Sequence, residues 1–407
     1  MTETQSSQDT TARPETSAVP PPDPSTARLV GVDLARALAV FGMYTVHIGP
    51  PLSATHGVGH WVRYLADGRS SILFATLAGF SLMLIAGRRE PKAGLAGRQA
   101  KARIAIRALI LVVLGSAMAM AYGDVVILAF YGVYFLLALP LVRLRARTLA
   151  IIAVVLAMVT PQLAFVLRWL LTEPVQQIIN TYDPLERIST VGVLDLLLTG
   201  FYPTITWMPF VIAGMALGRL DLAARAVQRG LALLGPALIV VGYGTSLVVG
   251  GRNALKSTAE AGSSSFSSGA APMDIGSFEP QRTAGELLLA GPHSGTTFDI
   301  IGSLGVAITV IVCATVAMDR LPRLRRLAKP VIAVGTMSLT AYVGHFVAQS
   351  ALSVPAGGGN GVQHSWVPLL LFILGATVFA AIWSRFFRRG PLEYLLNLAT
   401  KPAKYVR

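Results

Sequence analysis

Stretches of 17 or more mainly apolar residues recur along this 407-residue chain, separated by short connectors rich in arginine or in glycine and serine. A helix rises about 1.5 Å per residue, so each stretch is about long enough to cross a hydrocarbon core roughly 30 Å thick. The chain is therefore expected to be all-α, a polytopic membrane protein. Composition agrees, since 53% of residues are hydrophobic and 13% charged, against roughly 25% charged in soluble domains. No hydrophilic stretch is long enough for a sizeable second domain.

The apolar runs predict about ten transmembrane helices, near 29–48, 69–86, 104–121, 126–142, 148–168, 202–218, 230–250, 298–318, 331–351 and 366–384. Assigning alternate connectors to the cytoplasm places 24 arginines and lysines there and seven on the other face. That asymmetry follows the positive-inside rule at every connector and predicts a plasma-membrane protein with both termini cytoplasmic. The longer connectors, 49–68, 169–201 and 251–297, fall outside. The last contains GSSSFSSGA and is expected to be a flexible outer loop. Residues 1–27 are polar and proline-rich and predict a disordered cytoplasmic tail; they lack the charged and apolar regions of a signal peptide. Residues 28–395 form the expected membrane domain, and 396–407 a basic cytoplasmic tail.

A net charge of +14 could point to nucleic acid, but the basic residues flank helix ends instead of gathering on a soluble surface, so no nucleic-acid partner is expected. Cys313, the single cysteine, lies in an apolar run and permits no intrachain disulfide. There is no convincing internal repeat and little sign of broken spans, which argues against an inverted-repeat transporter.

Charged and imidazole groups inside spans are costly and therefore mark candidate sites. The first span, RLVGVDLARALAVFGMYTVHIGP, holds three. Asp33 and Arg36 are three residues apart and can pair on one helix face. Arg36 and His47 share a stripe, roughly 16 Å apart along the axis, with Arg36 toward the cytoplasm and His47 toward the outside. Arginine can hold a phosphorylated donor, and histidine can take a proton from an attacking hydroxyl or amine, or accept the transferred group itself. A structural role accounts for the same residues: Asp33 neutralises Arg36, and His47 bonds a carbonyl at the interface.

Other polar residues are secondary candidates. His56 and His60 could share a helix face, but no third ligand follows at a metal-site spacing, so no metal is expected. Arg69 and the hairpin residue Asp124 join the acceptor-side candidates, Asp124 also being an ordinary turn residue. Tyr202 and Trp207 read as an interfacial aromatic belt or as a stacking surface for a sugar. His293 precedes a span on the outer face; His345 lies within the ninth and needs some partner. His364 is assigned nothing. The basic loop 87–107 could reach donor phosphates or anionic lipid, or simply set topology.

RLVGVDLARALAVFGMYTVH resembles the opening helix of transmembrane acyltransferases, in which ten residues separate an arginine from a histidine, as they do Arg36 from His47. Residues 28–86, continuing through HGVGHWVRYLADGRSSILFATLAGFSLML, resemble the catalytic domain of heparan-alpha-glucosaminide N-acetyltransferase and its bacterial relatives. YGDVVILAFYGVYFLL, FYPTITWMPFVIAGMALGRL, PHSGTTFDIIGSLGVA, GTMSLTAYVGH and RRGPLEYLLN resemble the bacterial YeiB-like branch. The resemblance implies acetyl-CoA or another acyl-CoA as cytoplasmic donor and a glycan or lipid-linked sugar as acceptor. It also implies a membrane-embedded catalytic histidine. In the lysosomal enzyme an asparagine follows the first helix and the histidine lies in the next loop. His47 holds the asparagine-like place and His56 or His60 the histidine-like one, so all three are catalytic candidates, and the arginine spacing favours His47. Arg36 and Asp33 are placed on the donor side. Membrane lipid is the other expected partner, and a homodimer is left open. The rival readings are a transporter or exporter of an envelope precursor and a non-catalytic envelope assembly protein.

Overall fold

The computed structural model describes residues 29–189, 191–256, 284–352 and 365–406. The expected tail 1–27, the GSSSFSSGA segment and His364 lie outside the described residues. Among the described residues the secondary structure is helical throughout, with no strand.

Among the described residues, six helices are long and apolar enough to cross a membrane. In chain order, α1 (Val30–His47) is followed by α2 (Gly57–Ala66) and α3 (Arg69–Ala86), which run on as the first of the six, Gly57–Ala86. Next come α4 (Gly94–Tyr122), α5 (Leu128–Ala138), α6 (Ala146–Leu170), α7 (Glu173–Tyr182), α8 (Pro184–Ser189) and α9 (Thr204–Arg219). Helices α10 (Arg225–Ile239) and α11 (Thr245–Gly250) join through a π turn into one span. The chain continues as α12 (Thr297–Arg320), α13 (Pro322–Leu327), α14 (Lys329–Thr336), α15 (Ser338–Ala351), α16 (Val367–Phe386) and α17 (Pro391–Ala399). Besides Gly57–Ala86, the six are α4, α6, Arg225–Gly250, α12 and α16. The ninth expected span, 331–351, is instead two helices, α14 and α15, meeting at 88°. Counted as one crossing, they bring the total to seven.

The other three expected spans are helices that fall short of a membrane-spanning run. Asp33, Arg36 and His47 dilute the hydropathy of α1, while α5 and α9 have 11 and 16 residues. Their burial supplies the reason. All but one residue of α9 are buried, and most of α1 and α5 are too. Helices surrounded by protein need neither an unbroken apolar face nor a full crossing length, whereas α6 and α16 expose aliphatic side chains along their lengths as lipid-facing helices do.

Small residues set the closest packing, as is usual between membrane helices. A Cβ on Gly79 of α3 would lie 1.9 Å from the Val211 carbonyl oxygen of α9, and one on Gly214 would lie 1.8 Å from that of Thr76. Gly335 on α14 meets α1 in the same way, at the Asp33 carbonyl. On the arginine-rich face the buried Arg219, ending α9, donates to the carbonyls of Arg88, Val142 and Leu144 and ties two connectors, α3–α4 and α5–α6, to the end of α9. The C-terminal residues expected as a tail form a short 3-10 turn, Lys401–Tyr405, held to α4 by Gln99. Within the span of the expected outer loop, Ala290 donates to the Ala254 carbonyl at 2.7 Å, and both residues are buried.

Candidate active site

His47 ends α1, and its Nδ1 lies 2.8 Å from Nε2 of His345 on α15. The other nitrogen of His345, Nδ1, bonds the main-chain oxygen of Tyr342. A carbonyl only accepts, so His345 carries its proton on Nδ1, and in the neutral ring Nε2 accepts. Nδ1 of His47 is then the donor, and Nε2 of His47 keeps its lone pair, with no hydrogen-bond partner among the described residues. The two rings stack at 5.1 Å and are packed by Tyr44, Tyr342 and Phe346. The pair is thus a proton acceptor with a fixed tautomer, oriented by a second histidine and a backbone carbonyl.

The bend between α14 and α15 delivers His345. The first amides of a helix have no partner of their own. Here Glu393 of α17 accepts from the amides of Leu339 and Thr340 at 2.8 and 3.1 Å and from the Thr340 hydroxyl at 2.6 Å. The Thr340 hydroxyl in turn accepts from the Leu392 amide. Glu393 therefore caps the half-helix that carries His345.

Toward the arginine-rich face, Arg36 donates to Asp33 at 2.8 Å and to Ser81 at 2.9 Å. Arg107 of α4 lies within electrostatic range of Arg36, Arg103, Arg389 and Glu393. Four guanidinium groups converge at the end of α1 opposite His47, a concentration suited to phosphate.

A second polar cluster borders His47, which lies within electrostatic range of Arg63 and His293. His293 is backed by Phe201, Tyr202 and Trp207, with ring centroids at 4.3, 5.8 and 6.1 Å, and its Nε2 is 3.9 Å from Asp67. The kink between α2 and α3 makes this possible: Gly68 has φ +65°, a conformation that side chains disfavour, and a Cβ there would press on Pro292 and His293. Burial pushes the His293 imidazole down to about 4 from 6.5, with Asp67 opposing. The folded protein therefore binds fewer protons than the unfolded chain in that range. This contribution to stability is complete above pH 6.5 and is lost as pH falls toward 4. His293→Gln should flatten the fall in melting temperature across that interval, measured by calorimetry on purified protein.

The candidates thus divide. His47, His345, His293, Tyr202 and Trp207 gather around one region, with Arg36 and Asp33 at the other end of α1. Arg69 is a clamp: its guanidinium bonds Tyr64, Tyr243 and the Asp67 carbonyl and lies over the Tyr64 and Tyr243 rings at 4.5 and 5.1 Å. The exposed His56 and the half-buried His60 line an open depression with Leu52, Ser53, Thr55 and Trp61, and neither bonds His47. The side chain of Asp124 lies outside the described residues. No group of three or more metal-ligating side chains occurs among the described residues. Arg63, Asp67 and Glu393 join the site without having been singled out in the sequence, although RRGPLEYLLN contains Glu393.

Several helices long and apolar enough to cross a membrane, together with a match to a catalytic family model, make this a membrane protein of acyltransferase-like function. Residues 28–256 match the family model described as heparan-alpha-glucosaminide N-acetyltransferase, catalytic, and the chain belongs to that family. Residues 269–402, which contain His293, His345 and Glu393, match a second model, described as a protein of unknown function (DUF418). Among curated proteins, none matches the chain.

Proposed function

We propose that the chain transfers an acetyl or other acyl group from cytoplasmic acyl-CoA to a sugar hydroxyl or amine on the outer side of the plasma membrane. The observation that supports this best is the His47–His345 pair, whose hydrogen-bond order leaves Nε2 of His47 as a base. In this reading α1, α5 and α9 cross with the seven longer spans, giving ten crossings and cytoplasmic termini.

Phosphates of the donor are held by Arg36, Arg103, Arg107 and Arg389, and the pantetheine arm runs along α1. Nε2 of His47 takes the proton of the acceptor as its oxygen or nitrogen attacks the thioester carbonyl. The carbon–sulfur bond breaks, and the departing thiolate takes that proton back from His47 as free CoA leaves. The stack on His345 holds the imidazole in the productive tautomer, and the hydrogen bond stabilises its charged form.

Purified protein given labelled acetyl-CoA and envelope glycolipid should label the glycolipid. Arg107→Gln should raise KM for acetyl-CoA about tenfold by removing a charged phosphate contact, with little change in kcat. The rival reading, a transporter, draws on the broken span of α14 and α15. Movement of glycolipid across proteoliposomes without any label would favour it.

A further inference from the structure

Three buried nitrogens concentrate beside the histidine pair without a hydrogen-bond partner among the described residues: Nε and Nη1 of Arg63 and Nδ1 of His293. The side chains of Arg63 and His293 are only 12% and 7% exposed. Asp67 lies between them, but its carboxylate is 3.9 Å from both Nη1 of Arg63 and Nε2 of His293, beyond hydrogen-bond distance. Two nitrogens of the Arg63 guanidinium are therefore buried without a hydrogen bond, which is unfavourable unless something else supplies the acceptor atoms. The neighbouring Arg69 is committed to Tyr64 and Tyr243, so Arg63 is the arginine with donors to spare. Phe201, Tyr202 and Trp207 pack on one another and on His293, so the cluster is backed by aromatic rings.

We propose that Arg63, Asp67 and His293 form an acceptor subsite for a sugar bearing an anionic oxygen, carboxylate or phosphate, which Arg63 reads. This rests on the acyltransferase reading, which supplies a sugar as acceptor. Arginine donates and never accepts, and its hydrogen bonds to charged oxygen are the strong ones, so an anionic group gains more here than a hydroxyl. Nδ1 of His293 remains for a neutral hydroxyl of the same ring.

The test uses the purified full chain and three probes: methyl β-D-glucuronide, glucose 1-phosphate and methyl β-D-glucoside, with affinities from calorimetric titration. One or both anionic probes should bind about tenfold more tightly than the neutral one, and the better of the two identifies carboxylate or phosphate. Arg63→Gln should abolish the preference and Arg63→Lys should keep part of it, while acetyl-CoA stabilises both variants against heat as it does the parent protein. Equal affinity for the three probes, no binding of any, or a preference that survives in Arg63→Gln overturns the subsite. Failure of acetyl-CoA to stabilise the parent protein would instead remove the acyltransferase reading.

Discussion

Replacing His47 by alanine should reduce acyl transfer about 10³-fold, within the range contributed by a positioned general base, while the protein still inserts and folds. The side chain removed is half-buried at the end of α1 and hydrogen-bonds His345. It also packs on the rings of His345 and Phe346, so the melting temperature is the control: an activity loss of this size with that temperature unchanged would be chemical in origin. The measurement is labelled acetyl transfer by purified variant and parent protein, with thermal unfolding followed in parallel. Normal turnover by the variant would exclude His47 and return attention to His56 and His60.

Gly335→Ala should act through structure. Its Cβ would lie 1.7 Å from the carbonyl oxygen of Asp33 and 3.1 Å from the amide of Ala37, both backbone atoms of α1 that cannot rotate away. Relief requires α14 to move from α1. Overpacking a tight interface in this way costs about 1–3 kcal/mol and more where only backbone can yield. α14 leads directly into α15, which carries His345, so the same displacement would separate the two histidines. A melting temperature lowered by several degrees, together with lost transfer, is the expected pair of results. A variant as stable and active as the parent would show that α1 and α14 are not packed this closely.

Much of the fold was legible where lipid dictates composition. The second span, read as 69–86, is α3 to the residue, because Gly68 and Gly87 bound it with positive φ and apolar residues fill the interval. Hydropathy served less well for α1, α5 and α9, whose neighbours are helices and not lipid. The break at Met337 carried no proline or glycine of its own; its cap comes from Glu393, more than fifty residues further along. The site divides in the same way. His47 and His345 were each visible as costly polar residues in spans, but 298 positions separate them, and no local pattern announces their contact. Arg69 resembled a binding residue until Tyr243, 174 positions away, was seen to occupy it. Arg63 lies on an amphipathic helix, where one arginine is ordinary, and only its buried, unpartnered nitrogens set it apart.

The most direct measurement is a density map of the purified protein with acetyl-CoA added. The expected result is donor phosphates among Arg36, Arg103, Arg107 and Arg389 and the thioester beside Nε2 of His47. A thioester lying instead against His56 or His60, or an α1 stripe turned toward lipid with no passage for the pantetheine arm, would contradict it.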